Sequence, residues 1–200
     1  MNRLIICGSP RPHGRSAHLA EELFDACIEE CPDDQVSLAS VASLDIAPCR
    51  GCDVCRESED HACALDDDMA ELRELIDDAD ELVVVSPVYF AGPPAQLKAL
   101  IDRLQPYFWS YERGGAKRPA VLHVVGEGGD PRGFEPLVGI VRSALAVAGF
   151  ALERVYDWVG KIDEDGQITA EADVRDLGAG AGASGTAPDT GAASAAGEGA

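Results

Sequence analysis

Short apolar runs alternate with segments of helical periodicity along most of this chain, and that alternation narrows the possible folds more than any other feature. Leu4-Ile5-Ile6-Cys7 reads as a strand. Behind it Ala20, Leu23, Phe24, Cys27, Ile28 and Cys31 recur at steps of three and four, with Glu21, Glu22, Asp25, Glu29 and Glu30 on the other face. That pattern predicts an amphipathic helix. Gln35 to Ala39 follows as a weaker strand, and Met69, Leu72, Ile76 and Ala79 mark a second helix with Asp67 or Asp68 as its cap. Leu82-Val83-Val84-Val85 is continuous and β-rich, the composition of a strand buried on both faces. Leu97, Leu100, Ile101 and Leu104 predict a third helix, Val121 to Val125 a fourth strand, Leu137, Val141, Leu145 and Ala148 a fourth helix, and Leu152 to Trp158 a fifth strand. The series predicts an α/β fold: a five-stranded parallel sheet with helices on both faces.

Two hundred residues suffice for one such domain. The 16 Lys and Arg against 36 Asp and Glu leave a net charge of −20, which argues against nucleic acid or an anionic membrane as partner, because a phosphate lattice needs cations to displace its counterions. The apolar opening Leu4 to Cys7 is too short for a signal peptide, and no run of membrane-spanning length follows, so a cytoplasmic protein is expected. Gly178 to Ala200 is nearly all Gly, Ala, Ser and Thr. Such a segment has nothing with which to build a core; the expected division is a folded domain over 1–177 and a disordered tail over 178–200.

In an open parallel sheet, ligands bind beyond the carboxyl ends of the strands, in the segments that lead into helices. Gly8 to Arg15, Val41 to Asp66, Ser86 to Ala95 and Gly126 to Gly133 are those segments here. The first offers glycines for close backbone approach, the hydroxyls of Ser9 and Ser16, a helix start with free amides, and Arg11 to fork onto an anion; the ligand group it suits is a phosphate. It is neither a Gly-x-Gly-x-x-Gly dinucleotide fingerprint nor a loop ending in Gly-Lys-Ser/Thr. In the third, Pro87 and Pro93-Pro94 stiffen the chain while Tyr89 and Phe90 offer flat walls for a planar ring. The fourth carries Gly126, Gly128 and Gly129 within four residues, as close approach to a ligand requires.

The second segment holds Cys49, Cys52 and Cys55 within seven residues, then Cys63. In a cytoplasmic protein such clustering points to metal or redox chemistry rather than disulfides. Three thiolates so close together suit a compact iron-sulfur cluster, and the run is similar to that of bacterial ferredoxins. A four-cysteine zinc site with His61 as a spare ligand and bare redox-active thiols are the alternatives. Cys7, Cys27 and Cys31 fall at core positions and read as buried hydrophobes. The aromatic run Tyr107, Phe108, Trp109 and Tyr111 is expected at a subunit interface, as a partner's wall over the ligand. Arg11, Arg15, Arg50, Arg56 and Arg132 all lie in strand-to-helix segments, which predicts a locally basic mouth on an acidic molecule.

Taken in order, the Gly8-Ser9-Pro10-Arg11 loop with Gly14 and Ser16, the Ser86-Pro87-Val88-Tyr89-Phe90 segment and Gln96-Leu97-Lys98-Ala99-Leu100-Ile101-Asp102-Arg103 resemble the NADPH-dependent FMN reductase family over roughly residues 1–159. The resemblance implies a flavodoxin-like fold with strand order 2-1-3-4-5, and FMN with its phosphate at Ser9, Arg11, Gly14 and Ser16. The isoalloxazine would lie against Pro87, Val88, Tyr89 and Phe90, with Gly126, Gly128 and Gly129 closing the other side. Many relatives carry a small polar residue where this chain has Arg15. The cysteine segment resembles the iron-sulfur flavoprotein branch, which implies a [4Fe-4S] cluster on Cys49, Cys52, Cys55 and Cys63, near the flavin. The implied activity is an NAD(P)H-dependent FMN oxidoreductase, passing electrons through flavin and cluster to a small-molecule or protein acceptor, and working as a homodimer or homotetramer. No side chain is assigned as acid or base, since the cofactor carries the reaction. The rival readings are a flavodoxin-like one-electron carrier, whose phosphate loop would be richer in Ser and Thr, and a non-catalytic cysteine-based redox sensor or metal-binding module.

Overall fold

The computed structural model describes residues 1–110 and 115–178. Tyr111 and residues 179–200, nearly the whole expected tail, lie outside the described residues. In chain order the elements are β1 (Asn2–Cys7), α1 (Arg15–Glu30), β2 (Gln35–Ser40), α2 (Val54–Glu57), α3 (Met69–Asp78), β3 (Glu81–Pro87), α4 (Ala95–Asp102), α5 (Gln105–Ser110), β4 (Arg118–Val125), α6 (Glu135–Val147), β5 (Phe150–Asp157) and β6 (Asp173–Asp176).

The sheet order is β2-β1-β3-β4-β5-β6. Its first five strands are parallel, in the flavodoxin-like order. Alternation along the central strands sends side chains to both faces, and both are covered. Leu4, Ile6, Leu82, Val84, Leu122 and Val124 pack under α3, α4 and α6; Ile5, Cys7, Val83, Val85, Val121 and Val125 pack under α1. Gly8 continues β1, its amide donating to the Val85 carbonyl at 2.7 Å. A Cβ there would stand 2.5 Å from Leu97 Cδ2, so a larger residue would push the Leu97 side chain of α4 aside. At the other end of the sheet, Arg118 donates to the carbonyls of Ile76, Asp77, Ala79 and Ala148, satisfying the last turns of α3 and α6.

The sheet has six strands rather than the expected five. The extra one, β6, adds antiparallel to β5, and its residues Asp-Val-Arg-Asp are all exposed. It forms through backbone bonds at an open edge, without the apolar alternation that would mark it. Cys7 is buried, but Cys27 and Cys31 are half-exposed and Ile28 is exposed. The fully buried residues of α1 lie between Ser16 and Ala20, because beyond them the helix meets the core only through the partly buried Leu23 and Phe24. Among the described residues no helix is long and apolar enough to cross a membrane.

Candidate functional site

At the carboxyl ends of β1, β3, β4 and β5 the chain opens into a cleft of about 860 Å³, and all eleven residues expected to hold flavin line it. The β1–α1 loop forms one end. There the Ser9 hydroxyl accepts from the Arg11 amide at 3.1 Å and donates to the Arg11 carbonyl, so it shapes the loop rather than standing free. Gly14 caps α1 with no side-chain bond. The amides of Arg15 and Ser16 find no backbone acceptor among the described residues, as the first turn of a helix leaves them, and Ser16 is buried beside them. Free amides at a helix start attract an anion. The Arg11 side chain is exposed and lines the cleft.

Arg15 acts differently from its neighbours. Its Nε donates to the Asp163 carbonyl and its guanidinium to Glu127, both at 2.8 Å, tying the start of α1 to the glycine-rich wall of the cleft and to the segment after β5. The hydrogen bond from Arg15, helped by the charge of Arg11, holds the Glu127 carboxyl below its usual range. Lys161 likewise donates to the Asp157 carbonyl and to Asp173. With Glu127, Asp130, Asp157 and Asp173 in the lining, the mouth is of mixed charge and not the basic one expected. Arg50 lies elsewhere, Arg56 stacks 5.2 Å from the Trp109 ring, and Arg132 is exposed.

The β3–α4 segment forms the next wall. Val88 bonds to the Val125 carbonyl, and Tyr89 and Gly92 exchange both backbone bonds, at 2.9 and 3.0 Å, around a two-residue turn. The two corner residues are Phe90 at φ 50° and Ala91 at φ 63°, left-handed angles that ordinarily call for Gly or Asn. Phe90 is 101% exposed while Ala91 is buried, its carbonyl bonded by the Leu137 amide. Strained backbone of this kind clusters at ligand-binding sites in proteins. Opposite, Gly128 and Gly129 take φ 89° and 85°. Asp157 and Val159 also line the cleft; the same carboxyl-end rule, extended to the fifth strand, would have found them.

The four cysteines come together at a second site. Cys49, Cys52, Cys55 and Cys63 line a cavity of about 340 Å³ whose far wall is Arg103, Pro106 and Trp109. Burial, and then the neighbouring thiols of Cys63, Cys49 and Cys52, push the Cys55 thiol up. A ring of soft sulfur donors around an open space suits a compact cluster. Among the described residues no group of three or more His, Cys, Asp or Glu side chains is placed to hold a metal ion, and His61 bonds through Nδ1 to the Cys55 carbonyl at 2.8 Å. The cavity shares no lining residue with the larger cleft. Its wall comes from the end of α4 and from α5, and of the aromatic run it is Trp109 that lines it. Tyr107 is buried, its hydroxyl donating to Asp77 at 2.8 Å, while Phe108 and Trp109 are exposed.

Arg103 is the feature of this second site with least trace in the sequence. It is 2% exposed and forks onto Asp67 with bonds of 2.6 and 2.8 Å. It also donates to the Ala47 carbonyl. Asp67 in turn accepts from the amides of Ala47 and Met69. One ion pair therefore pins the chain on both sides of the cysteine segment. Arg103 holds the Asp67 carboxyl below its usual range.

Several known proteins resemble this one. An iron-sulfur flavoprotein of Methanocaldococcus jannaschii is 40% identical over 106 residues, 53% of each chain, and one of Methanosarcina thermophila is 36% identical over 100 residues, 49% of each. The chain thus spans about half the length of these relatives. In fold it is similar to an FMN-dependent NADH-azoreductase from Bacillus anthracis solved with FMN, at a TM-score of 0.59, 14% identity and coverage of 80% and 87% of the two chains. A Streptococcus mutans protein superposes with a TM-score of 0.61 at 16% identity, covering 82% and 92%. The model of one family matches residues 1–148, strands β1 to β4 and all six helices included, and the chain belongs to it: the NADPH-dependent FMN reductases.

Proposed function

We propose that this protein is an NAD(P)H-dependent flavin oxidoreductase, and that FMN occupies the cleft at the carboxyl ends of the strands. The observation that supports it is convergence: three segments far apart in sequence, Ser9 to Ser16, Pro87 to Phe90 and Gly126 to Gly129, line one cleft of about 860 Å³, a size in the range of cofactor sites. The α1 amides, the Ser16 hydroxyl and Arg11 bind the phosphate by charge-assisted bonds. Pro87 to Phe90 orient the ring system, with the glycine segment opposite giving it room. FMN held there would supply the redox chemistry, hydride acceptance from a nicotinamide and electron release to an acceptor. Arg15 and Lys161, already engaged with Glu127 and Asp173, brace the rim.

The four-cysteine cavity holds a [4Fe-4S] cluster in this reading, supported by its donor set and by the names of the relatives. Held by those four thiolates, a cluster would supply one-electron transfer toward a small-molecule or protein acceptor. The exposed Phe108 and Trp109 form part of a homodimer or homotetramer interface, and residues 1–177 are the FMN-binding domain.

Anaerobic titration with NADPH tests the reading. The visible flavin band is expected to bleach with about one equivalent of NADPH, and an added quinone to restore it with turnover. Flavin that dithionite reduces and neither NADPH nor NADH reduces would identify a one-electron carrier instead.

A further inference from the structure

We propose that Arg103 is the counter-charge of the four-cysteine site: its buried guanidinium stabilises the extra negative charge the site takes on when the group held by the thiols is reduced, and Asp67 sets how much of that charge is available. The inference rests on the reading of the cavity as a cluster site.

Three observations carry it. Arg103 lines the same cavity as Cys49, Cys52, Cys55 and Cys63 and is 2% exposed, so its field acts through protein rather than water. Its Nε is buried with no hydrogen-bond partner among the described residues. A buried donor left without a partner is unfavourable, and here it belongs to a side chain in the wall of the thiol cavity. Finally, the other charges in that wall are screened. Arg50 and Asp53 are exposed, and Asp102 is 47% exposed and already paired with Lys98. Arg103 is the charge in the lining that solvent does not reach.

A purely structural role is also visible in the Asp67 pair, since it clips Ala47 and Met69. The two roles differ in sign. If Arg103 only braces the segment, removing either partner loosens the site in the same direction. If it supplies charge, Arg103→Gln removes a cation and Asp67→Asn frees one, and the two act in opposite directions.

The test is a redox titration of the anaerobically prepared protein, followed by the low-temperature electron paramagnetic resonance signal of the reduced cluster, with iron and acid-labile sulfide measured on each sample. Arg103→Gln is expected to lower the cluster's reduction equilibrium constant about tenfold, 59 mV for one electron, and Asp67→Asn to raise it by a similar factor. Arg103→Lys, which keeps the charge, is expected to stay near wild type. Shifts of the same sign in Arg103→Gln and Asp67→Asn, or no shift in either, would overturn the proposal while leaving the cluster in place. Wild type without iron and sulfide would overturn both the proposal and the cluster reading. Where Arg103→Gln does not fold, an upward shift in Asp67→Asn supports the counter-charge role, and an unchanged or lowered value refutes it.

Discussion

Trp158 donates its indole N–H to Nδ1 of His123 at 3.0 Å. Because an indole nitrogen only donates, Nδ1 is an acceptor and the ring is neutral with its proton on Nε2. The imidazole is buried on β4, stacked 4.5 Å from Tyr156 and 6.2 Å from Trp158. Burial pushes its pKa down to about 4.

That shift has a sign in the stability of the fold. The unfolded chain takes up this proton near pH 6.5 while the folded chain refuses it until about pH 4. The contribution is therefore complete above pH 6.5, is lost as pH falls through the window down to about 4, and changes no further below it. A difference of this size corresponds to about 3 kcal/mol. Urea unfolding at pH 7 and pH 4 is expected to show that much extra loss in wild type relative to His123→Gln, in which the side-chain oxygen still accepts from Trp158. Parallel losses in the two proteins would mean that another group sets the dependence.

Phe90 lies at the corner of the Tyr89–Gly92 turn, with a left-handed backbone and a side chain wholly in solvent. Left-handed conformation costs a non-glycine residue about 1–2 kcal/mol, part of which glycine returns through its freer unfolded state. Phe90→Gly is expected to gain about 0.5–1 kcal/mol in urea denaturation of the flavin-free protein and to bind FMN more weakly. Loss of stability, or FMN affinity unchanged, would show that the turn's strain serves neither ring nor cleft.

Arg11 lines the phosphate end of the cleft, and its guanidinium forms no hydrogen bond among the described residues. Arg11→Ala is expected to weaken FMN binding by about 1.5–3 kcal/mol, roughly 10- to 100-fold in Kd by fluorescence titration. An unchanged Kd would leave the phosphate to the helix amides alone.

Much of this was legible because it depends on local pattern. Leu82 to Val85 announces a doubly buried strand by composition, and the carboxyl-end rule directs attention to Ser9, Pro87 and Gly126 before any contact is known. What stayed hidden depends on distant packing. Nothing in Asp173 to Asp176 marks a strand, since an edge strand needs only an open neighbour. Arg103 closes a helical repeat as any surface arginine would, and only the folded chain brings it to Asp67, 36 residues away, and into the wall of the thiol cavity.

The central claim is that this chain holds FMN, and the most direct test is to identify what it releases. Protein prepared without oxygen, then heat-denatured and chromatographed, is expected to yield FMN at about one per chain. Recovery of FAD alone, or of no flavin even after reconstitution with FMN, would contradict the account.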